Sequence, residues 1–222
     1  MEILQKTFCV GDIHGEYDKL EKVLELSRFN KEKDLLITLG DIVDRGKDWR
    51  KCVDILFTIK NRIDILGNHD QSFLYYIDTD IDMFGGNYGS AKTIEQYEEI
   101  LDKKPYENFF RNQIPFYVDN ENRCFVHAGF DREYSIKDNM VDTLCWDRKL
   151  LAKALSCSPG DRLKTIDDFK EIYIGHTPTF LYNKKGKIPT FSGELIWNLD
   201  TGSGKDGLLT MMNIDTKEYW QA

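Results

Sequence analysis

The sequence predicts an α/β fold in which two β-sheets carry helices on their outer faces. Short apolar runs alternate with segments of helical spacing over the first part of the 222 residues. Apolar runs of the same kind return after residue 122, and several of them end beside a glycine and a polar residue. Alternation of strand, loop and helix is typical of parallel strands joined by right-handed crossovers.

The first half of the chain contains three predicted strands and two predicted helices. We expect the strands at residues 7–10, 35–39 and 62–66, and the helices at residues 16–29 and 49–59. Apolar side chains recur on one face of each helical segment, which indicates that the helices pack against a sheet. The second of these strands should be the central one.

Residues 72–122 interrupt this pattern, and we expect them to form a small helical cap inserted into a single domain that covers residues 1–222. A helix is predicted at residues 93–103, with Thr93 and Gln96 in the arrangement of an N-terminal capping box. The segment is rich in aromatic residues, namely Phe73, Tyr75, Tyr76, Tyr88, Tyr106, Phe109 and Phe110. These rings should form the private core of the cap; a substrate-facing aromatic surface is the alternative.

The second half is predicted to be rich in β-structure. Strands are expected at residues 124–126, 172–174, 196–199, 208–214 and 218–220. Two sheets with helices outside them would bury all of these runs.

Composition argues against several classes of protein. The formal net charge is −8 and no run of Lys or Arg stands out, which argues against nucleic-acid binding. The N-terminal residues lack the pattern of a signal peptide, and no apolar stretch approaches a membrane span. Five cysteines without CxxC spacing favour free thiols in a reducing compartment. We therefore expect a cytoplasmic protein that is not bound to a membrane.

Five short segments place polar side chains beside a glycine, each of them directly after a predicted strand. They are Gly11-Asp12-Ile13-His14-Gly15, Gly40-Asp41-Ile42-Val43-Asp44-Arg45-Gly46, Gly67-Asn68-His69-Asp70, His127-Ala128-Gly129 and Gly175-His176-Thr177. Ligand sites of open α/β sheets gather at the carboxyl ends of strands. A single such segment is often only a turn, but all four histidines of the chain lie in this set. The joint pattern indicates one functional centre.

The residue types in these segments suit a pair of metal ions. Asp, Asn and His supply oxygen and imidazole ligands, and no Cys lies in any of the five segments, which favours Mn, Fe or Zn with open coordination positions. A dinuclear centre needs about six ligands with one of them shared. The candidate ligands are Asp12, His14, Asp41, Asn68, His127 and His176. Asp41, after the central strand, is the natural bridge.

The motifs GDIHG, GDIVDRG, GNHD, HAG and IGHTP, in this order, resemble those of the calcineurin-like metallophosphoesterases. GDIVDRG is similar to the PPP family of serine/threonine protein phosphatases. The short chain and Trp146-Asp147-Arg148 resemble the compact bacterial and phage-lambda type. The resemblance implies a four-layer α/β/β/α metallophosphoesterase sandwich with a small cap.

The resemblance also implies a role for each residue that matches a motif. Asp12, His14 and Asp41 would hold one metal ion, and Asp41, Asn68, His127 and His176 the other. Arg45 and Arg148 would bind phosphate oxygens. His69 would be the general acid, oriented by Asp44. Asp70 stands where the third motif usually has Glu, so a role for that carboxylate is open.

The resulting prediction is a serine/threonine protein phosphatase that uses a hydroxide activated by two divalent metal ions. Its partner would be a phosphorylated protein or peptide, and Mn is the expected metal, with Fe or Zn as alternatives. One alternative is a symmetrical dinucleoside-tetraphosphate hydrolase or another small-molecule phosphoesterase. The other is a non-catalytic binding or scaffold protein that keeps the fold. The intact ligand set, His69 and Arg45 speak against the latter.

Overall fold

The computed structural model describes residues 6–222, which form two five-stranded sheets between layers of helices. The strands are β1 (Thr7–Val10), β2 (Leu35–Thr38), β3 (Asn61–Asp64), β4 (Phe116–Val118), β5 (Arg123–Val126), β6 (Glu171–Ile174), β7 (Thr190–Ser192), β8 (Ile196–Asn198), β9 (Thr210–Asn213) and β10 (Tyr219–Gln221). The helices are α1 (Tyr17–Leu26), α2 (Trp49–Phe57), α3 (Asn68–Thr79), α4 (Ser90–Glu98), α5 (Lys104–Arg111), α6 (Val141–Trp146) and α7 (Lys149–Leu155).

The first sheet has the order β10-β9-β1-β2-β3, in which β1, β2 and β3 are parallel. Strand β2 is central among these three, as predicted. The second sheet has the order β4-β5-β6-β8-β7, with β5, β6 and β8 parallel. Strands β9, β10, β4 and β7 pair antiparallel at the outer positions.

Alternating side chains along the strands explain why the sheets stack. In β1, Phe8 and Val10 point to the core under α1 and α2, whereas Cys9 points to a second core that both sheets share. In β6, Tyr173 enters this shared core, while Ile172 and Ile174 face the helices α6 and α7. Because successive side chains of a strand point to opposite faces, each sheet buries both of its faces. The predicted four-layer α/β/β/α architecture is confirmed.

The segment between β3 and β4 differs from the prediction in two respects. Helix α4 covers Ser90–Glu98 and begins after Gly89, so the predicted capping box at Thr93 is wrong. The chain then starts a new helix at Lys104, where Pro105 suits the first turn.

The aromatic residues of this segment do not form a private core. Phe73, Phe109 and Phe110 pack in the same cluster as Trp49 of α2, with the ring of Trp49 5.1 Å from that of Phe73. Tyr88 is 64% exposed. The large rings therefore join the segment to the first sheet, since burying them against α2 removes more apolar surface from water.

Two further sequence expectations concern the thiols and the membrane. All five cysteines are free, and four of them are buried. Among residues 6–222, none of the helices has the length and apolar character that crossing a bilayer requires.

Candidate metal centre

Six side chains converge at the carboxyl ends of the parallel strands, and we refer to them as the His/Asp cluster. Asp12 and His14 follow β1, Asp41 follows β2, and Asn68 begins α3 just after β3; the second sheet contributes His127 after β5 and His176 after β6. None of the six is more than 8% exposed. The two sheets thus bring residues from opposite halves of the sequence to one place, as the motifs predict.

Asp41 lies between two imidazole rings. His14 Nε2 is 3.5 Å from Asp41 Oδ2, and His127 Nε2 is 3.5 Å from Asp41 Oδ1. His14 Nδ1 donates to the carbonyl of Val43 at 2.8 Å, and His127 Nδ1 donates to that of Leu39 at 2.6 Å. A neutral ring that donates through Nδ1 keeps a lone pair on Nε2. Both lone pairs therefore face a carboxylate oxygen, an arrangement that a cation stabilises.

Asn68 and His176 complete the side of the cluster that belongs to the second sheet. Asn68 Oδ1 lies 3.0 Å from His127 Nε2 and 2.9 Å from His176 Nδ1. The backbone N–H of His176 donates to both oxygens of Asp12 at 3.1 Å. His176 Nε2 is buried and has no hydrogen-bond partner in the described part of the chain.

Burial and mutual repulsion set the charges of the cluster. Burial, followed by repulsion from Asp200 and Asp41, raises the pKa of Asp12 well above its ordinary value. Burial would also raise the pKa of Asp41, but the rings of His127, His69 and His14 and the Arg45 guanidinium together lower it. Burial lowers the pKa of His14 and of His127, and lowers that of His176 to about 3. The histidines are thus neutral, as metal ligands must be.

The backbone of the site is held in an uncommon conformation. The φ angles of His14, Asp41, Asp44, Arg45 and His176 are 50°, 53°, 70°, 62° and 67°, all in the left-handed region. Non-glycine residues rarely adopt this region, and such outliers gather at functional sites. Backbone strain at five residues of the same site therefore marks this centre independently of its side chains.

Gly67 explains how the second and third motifs come so close. A Cβ atom at this position would collide with the backbone N and the carboxylate of Asp41. Only glycine lets the turn before α3 pass over Asp41, and the His69 N–H then donates to Asp41 Oδ1 at 3.0 Å.

His69 lies beside the cluster and belongs to a separate hydrogen-bonded chain. Its Nδ1 is 2.6 Å from Asp44 Oδ2, and Asp44 Oδ1 accepts from the Thr93 hydroxyl, also at 2.6 Å. Thr93 Oγ1 also accepts from the Asp44 N–H at 3.1 Å. The hydroxyl that the sequence suggested as a helix cap instead positions Asp44. His69 Nε2 remains on the side of the cluster, 4.0 Å from Asp41 Oδ2.

Arg45 reaches both histidines on this side. Its Nη1 donates to His14 Nε2 at 2.5 Å and its Nη2 donates to His69 Nε2 at 2.9 Å. The guanidinium therefore sits at the entrance of the cluster. A metal ion on His14 Nε2 would replace one of these hydrogen bonds.

Arg148 is placed less closely. It precedes α7 and is exposed, and no side-chain hydrogen bond holds it within residues 6–222. Burial and His127 lower the pKa of His176 most, Asp41 raises it, and the positive charge of Arg148 lowers it further. Arg148 is therefore near the site but not part of its buried framework.

Asp70 has a role that the sequence left open. Its Oδ1 accepts from the N–H groups of Ile42 and Val43 at 2.8 and 3.3 Å, and its Oδ2 accepts from Gln113 at 2.9 Å. Burial, followed by repulsion from Asp41, raises the pKa of Asp70 to about 7. Asp70 thus fixes the backbone between Asp41 and Asp44.

Asp200 is a site residue that motif reasoning missed. It is 2% exposed, and its Oδ2 has no partner among the described residues. Burial raises its pKa to about 6, opposed by the Gly202 N–H and Arg45, while Asp41 raises it further. Asp200-Thr201-Gly202 follows β8 after one residue, Leu199, and repeats the pattern of a polar residue near a strand end, which could have identified it.

The donor set fits divalent metal ions. Two groups of side chains have ligand atoms within 4.8 Å of one another: His14, Asp41 and His69, and Asp12, Asp41 and His127. Asp41 belongs to both groups, as a bridging ligand would. Oxygen and imidazole donors without thiolates suit Mn, Fe or Zn.

Comparison with known proteins identifies relatives in sequence. The family model described as calcineurin-like phosphoesterase matches residues 6–204. A protein of Buchnera aphidicola named symmetrical bis(5'-nucleosyl)-tetraphosphatase is 33% identical over 59% of this chain and 46% of its own length. The match thus spans about half the length of that relative. A protein of the same name from Pseudomonas fluorescens is 24% identical, with 96% of this chain and 93% of the relative covered.

Solved structures share the fold at lower sequence identity. A protein provisionally described as a diadenosine tetraphosphatase superposes with a TM-score of 0.72 at 18% identity, covering 100% of this chain and 94% of its own. A serine/threonine phosphatase of Saccharomyces cerevisiae gives 0.59 at 15% identity, covering 98% and 79%. A cold-active protein-tyrosine phosphatase of a Shewanella species gives 0.60 at 15%, covering 99% and 80%.

Proposed function

The chain belongs to the calcineurin-like phosphoesterase family, and from this premise we propose that it cleaves a dinucleoside tetraphosphate symmetrically, between its two central phosphates. That it is a metal-dependent phosphoesterase follows from the family. The finer assignment is supported by the relatives in sequence, which are named for this activity. It replaces the serine/threonine protein phosphatase of the sequence prediction as the main proposal.

The observation that carries the phosphoesterase chemistry is Asp41 between two imidazole lone pairs, 3.5 Å from each. We assign Asp12, His14 and Asp41 to one metal ion, and Asp41, Asn68, His127 and His176 to the other. When bound, two such ions lower the pKa of a water molecule and polarise phosphoryl oxygens. The chain contributes the geometry, because strained backbone and buried carbonyl acceptors hold each ligand in place.

Arg45 is assigned to the phosphate oxygens. Its guanidinium already lies at the entrance of the cluster, where it donates to His14 and His69. The planar fork of arginine matches two phosphate oxygens, and its charge offsets the negative charge that builds up on them during displacement. Substrate binding would redirect these N–H groups from the imidazoles to the phosphate.

His69 is assigned as the proton donor to the leaving group. Asp44 accepts from Nδ1, so a proton for the leaving group would be carried by Nε2, the nitrogen that faces the cluster, once Arg45 has turned from His69 to the phosphate. Thr93 keeps Asp44 from rotating. The leaving group of a dinucleoside tetraphosphate is a nucleoside diphosphate, whose terminal phosphate is a weak base, and it needs this proton less than an alkoxide does.

Parallel kinetics with two substrates test the assignment. The Mn²⁺-loaded protein should convert diadenosine tetraphosphate to ADP as the sole product, with a kcat/KM at least about tenfold above that for a phosphoserine peptide. Chelation of the metal should abolish both reactions. A mixture of AMP and ATP, or a preference for the phosphopeptide, would contradict the proposal.

A serine/threonine phosphatase remains the second candidate, because the Asp44–His69 pair is well suited to a poor alkoxide leaving group. The same two assays distinguish the candidates.

A further inference from the structure

Three aromatic rings lie along the entrance of the His/Asp cluster, and we refer to Phe84, Tyr88 and Trp146 as the aromatic row. The rings of Phe84 and Tyr88 are 4.9 and 6.3 Å from that of His69. Phe84 is 5.5 Å from Tyr88 and 6.2 Å from Trp146, and Trp146 is 6.3 Å from His176. The row thus extends along the site from the His69 side to the His176 side.

The row is open to solvent although its members are large and apolar. Tyr88 is 64% and Trp146 is 41% exposed, and Phe84 is half-buried. Neither Phe84 nor Tyr88 belongs to any of the three hydrophobic cores. Exposed apolar surface next to a reaction centre is typical of a ligand-binding surface.

The loop that carries Phe84 and Tyr88 is fixed in position. Asp82 accepts from the N–H groups of Phe84 and Gly86 at 2.9 and 2.7 Å, and from the Ser90 hydroxyl at 2.7 Å. Gly89 packs so closely on the backbone of Arg45 that a Cβ atom there would collide with it. The rings are therefore tied to the same loop that provides Asp44 and Arg45.

Tyr88 holds a strained backbone conformation, with φ at 57°. A bulky residue in the left-handed region is an outlier, and Asn or Gly would fit there with less strain. The fold gains little from an exposed ring at such a position. The strain instead keeps the tyrosine ring beside His69, which suggests a function for the ring itself.

Trp146 approaches from the end of α6 and is also fixed. Its indole N–H donates to Gln71 Oε1 at 2.9 Å, and Gln71 Nε2 donates to Asp142 at 2.7 Å. Because the polar atom of the indole is already paired, the ring offers only its apolar surface to a ligand.

We propose that the aromatic row is the nucleobase-binding surface of this phosphoesterase, a refinement that rests on the proposed function. Every nucleobase has a flat aromatic face, so any of them can stack on an aromatic side chain. In a nucleoside polyphosphate, ribose and a phosphate separate the base from the reacting phosphorus. The base must therefore lie one layer of side chains beyond the His/Asp cluster, and Phe84 and Tyr88 form that layer, since their rings contact His69.

Competitive inhibition of p-nitrophenyl phosphate hydrolysis tests the surface with the Mn²⁺-loaded protein. The probes are ADP, inorganic pyrophosphate and phosphotyrosine, each of which binds through phosphate. Tyr88→Asn removes the ring and tolerates the left-handed backbone. It should raise the Ki of ADP about tenfold and leave that of pyrophosphate within about twofold of wild type. Tyr88→Trp, which keeps a ring, should retain the Ki of ADP.

A matched control distinguishes loss of the nucleobase surface from the effect of replacing any exposed tyrosine. Tyr219→Asn, at an exposed tyrosine of the edge strand β10, should leave all three Ki values unchanged. Equal changes for ADP and pyrophosphate in Tyr88→Asn, or no change for ADP, would overturn the proposal. So would a loss of phosphotyrosine affinity as large as the loss of ADP affinity, because the row would then bind any aromatic group.

Hydrolysis of diadenosine tetraphosphate by the same variants distinguishes the two proposals. Suppose that the wild type does not cleave this compound but Tyr88→Asn raises the Ki of ADP and not that of pyrophosphate. The proposed function then fails and the nucleobase surface stands. If the wild type cleaves it and Tyr88→Asn has the KM of wild type, the nucleobase surface fails and the proposed function stands.

Discussion

The His/Asp cluster and the aromatic row are neighbours that are built in opposite ways. Every member of the cluster is at least nine-tenths buried and either follows a strand of one of the two sheets or, in the case of Asn68, begins the helix after β3. The row lies on the loop between α3 and α4 and at the end of α6, and Tyr88 and Trp146 are both exposed. The cluster is held by strands, whereas the row is held by a few side-chain hydrogen bonds.

This difference suggests that the cluster carries out the reaction and that the row selects the substrate. A buried cluster with fixed dipoles suits a reaction in which charge develops, because no solvent has to reorganise around it. A surface on loops can change its shape without disturbing the sheets. Variants of the cluster should therefore affect all phosphoesters alike, and variants of the row should affect some substrates and not others.

Asp41→Asn should have the largest effect. The change removes the negative charge and one of the two carboxylate oxygens of Asp41, and His14 and His127 lose the carboxylate that lies between them. Because even an outer-sphere change at a metal site costs about 10–100-fold, we expect a loss of more than about 100-fold in kcat/KM on every phosphoester. Turnover and bound Mn²⁺, measured by elemental analysis, check this.

Asp34→Asn is the matched control for Asp41. Asp34 is also a buried aspartate, 5% exposed, but it accepts from the backbone of Lys6 and Asn30 far from the cluster. It should keep wild-type turnover and metal content. Full metal content and turnover in Asp41→Asn would refute the shared-ligand assignment.

His69→Asn should have the second largest effect, and it should depend on the leaving group. A general acid contributes about 10²–10⁴-fold when the leaving group is a strong base such as the alkoxide of phosphoserine. On p-nitrophenyl phosphate and on diadenosine tetraphosphate, the loss should stay within about tenfold, because these leaving groups depart with little help. Metal content should be unchanged.

Thr93→Val tests whether the hydrogen-bonded chain behind His69 matters. The variant removes the hydroxyl that bonds Asp44 at 2.6 Å and keeps the volume of the side chain. It should reproduce the leaving-group dependence of His69→Asn in weaker form. Equal losses on alkyl and aryl phosphates in both variants would remove His69 from the acid role.

The sequence predicted the fold and the convergence of the six side chains of the cluster for one physical reason. Each proposed ligand lies within a short contiguous motif beside a strand, and the alternating pattern of elements indicates that the strand ends meet. The open role of Asp70 and the error at Thr93 have the opposite cause. Thr93 bonds to Asp44, 49 residues away, and nothing local distinguishes that contact from a helix cap.

For a related reason, the sequence predicted a substrate-facing aromatic surface only as an alternative. Composition indicated many aromatic residues between β3 and β4, but burial alone separates Phe73 and Phe110, which pack on Trp49, from Tyr88, which does not. Which ring enters a core depends on where α5 docks. No local spacing in the sequence specifies that position.

Metal binding should release protons from carboxyl groups of the site and none from the aromatic row. In the metal-free protein, burial raises the pKa of Asp12, and raises that of Asp200 to about 6. The histidines have lowered pKa values and carry no proton to release near neutrality. Mn²⁺ affinity should therefore rise up to about tenfold per pH unit for each carboxyl proton released between pH 5 and 7.

Calorimetry in two buffers of different ionisation enthalpy counts these protons. Asp200→Asn should reduce the number released, whereas Tyr88→Asn should not. Metal uptake without proton release would show that the carboxylates are already ionised.

The stability of the metal-free protein should depend on pH for the same reason. The pKa of Asp70 is raised to about 7 and that of Asp200 to about 6, so both carboxyl groups stabilise the metal-free fold at low pH, where they are protonated. That stability is lost as pH rises through these values, so the metal-free Tm should fall from pH 5 to 8.

Arg148→Ala should have the smallest effect, because Arg148 is exposed and acts from the edge of the site through its charge. An exposed cation steers an anionic substrate but loses strength with salt. We expect KM to rise about two- to fivefold at low ionic strength with kcat nearly unchanged, and the difference to vanish at high salt.

Lys153→Ala, an exposed cation further along α7, is the control for Arg148, and it should leave KM unchanged. A drop in kcat for Arg148→Ala that persists in salt would mean that the guanidinium contacts the phosphate directly, as Arg45 is proposed to do. Arg148 would then belong functionally with the cluster despite its exposure. Wild-type kinetics at low salt would instead make Arg148 an ordinary surface residue. Substrate selectivity at the entrance of the cluster would then depend on the aromatic row alone.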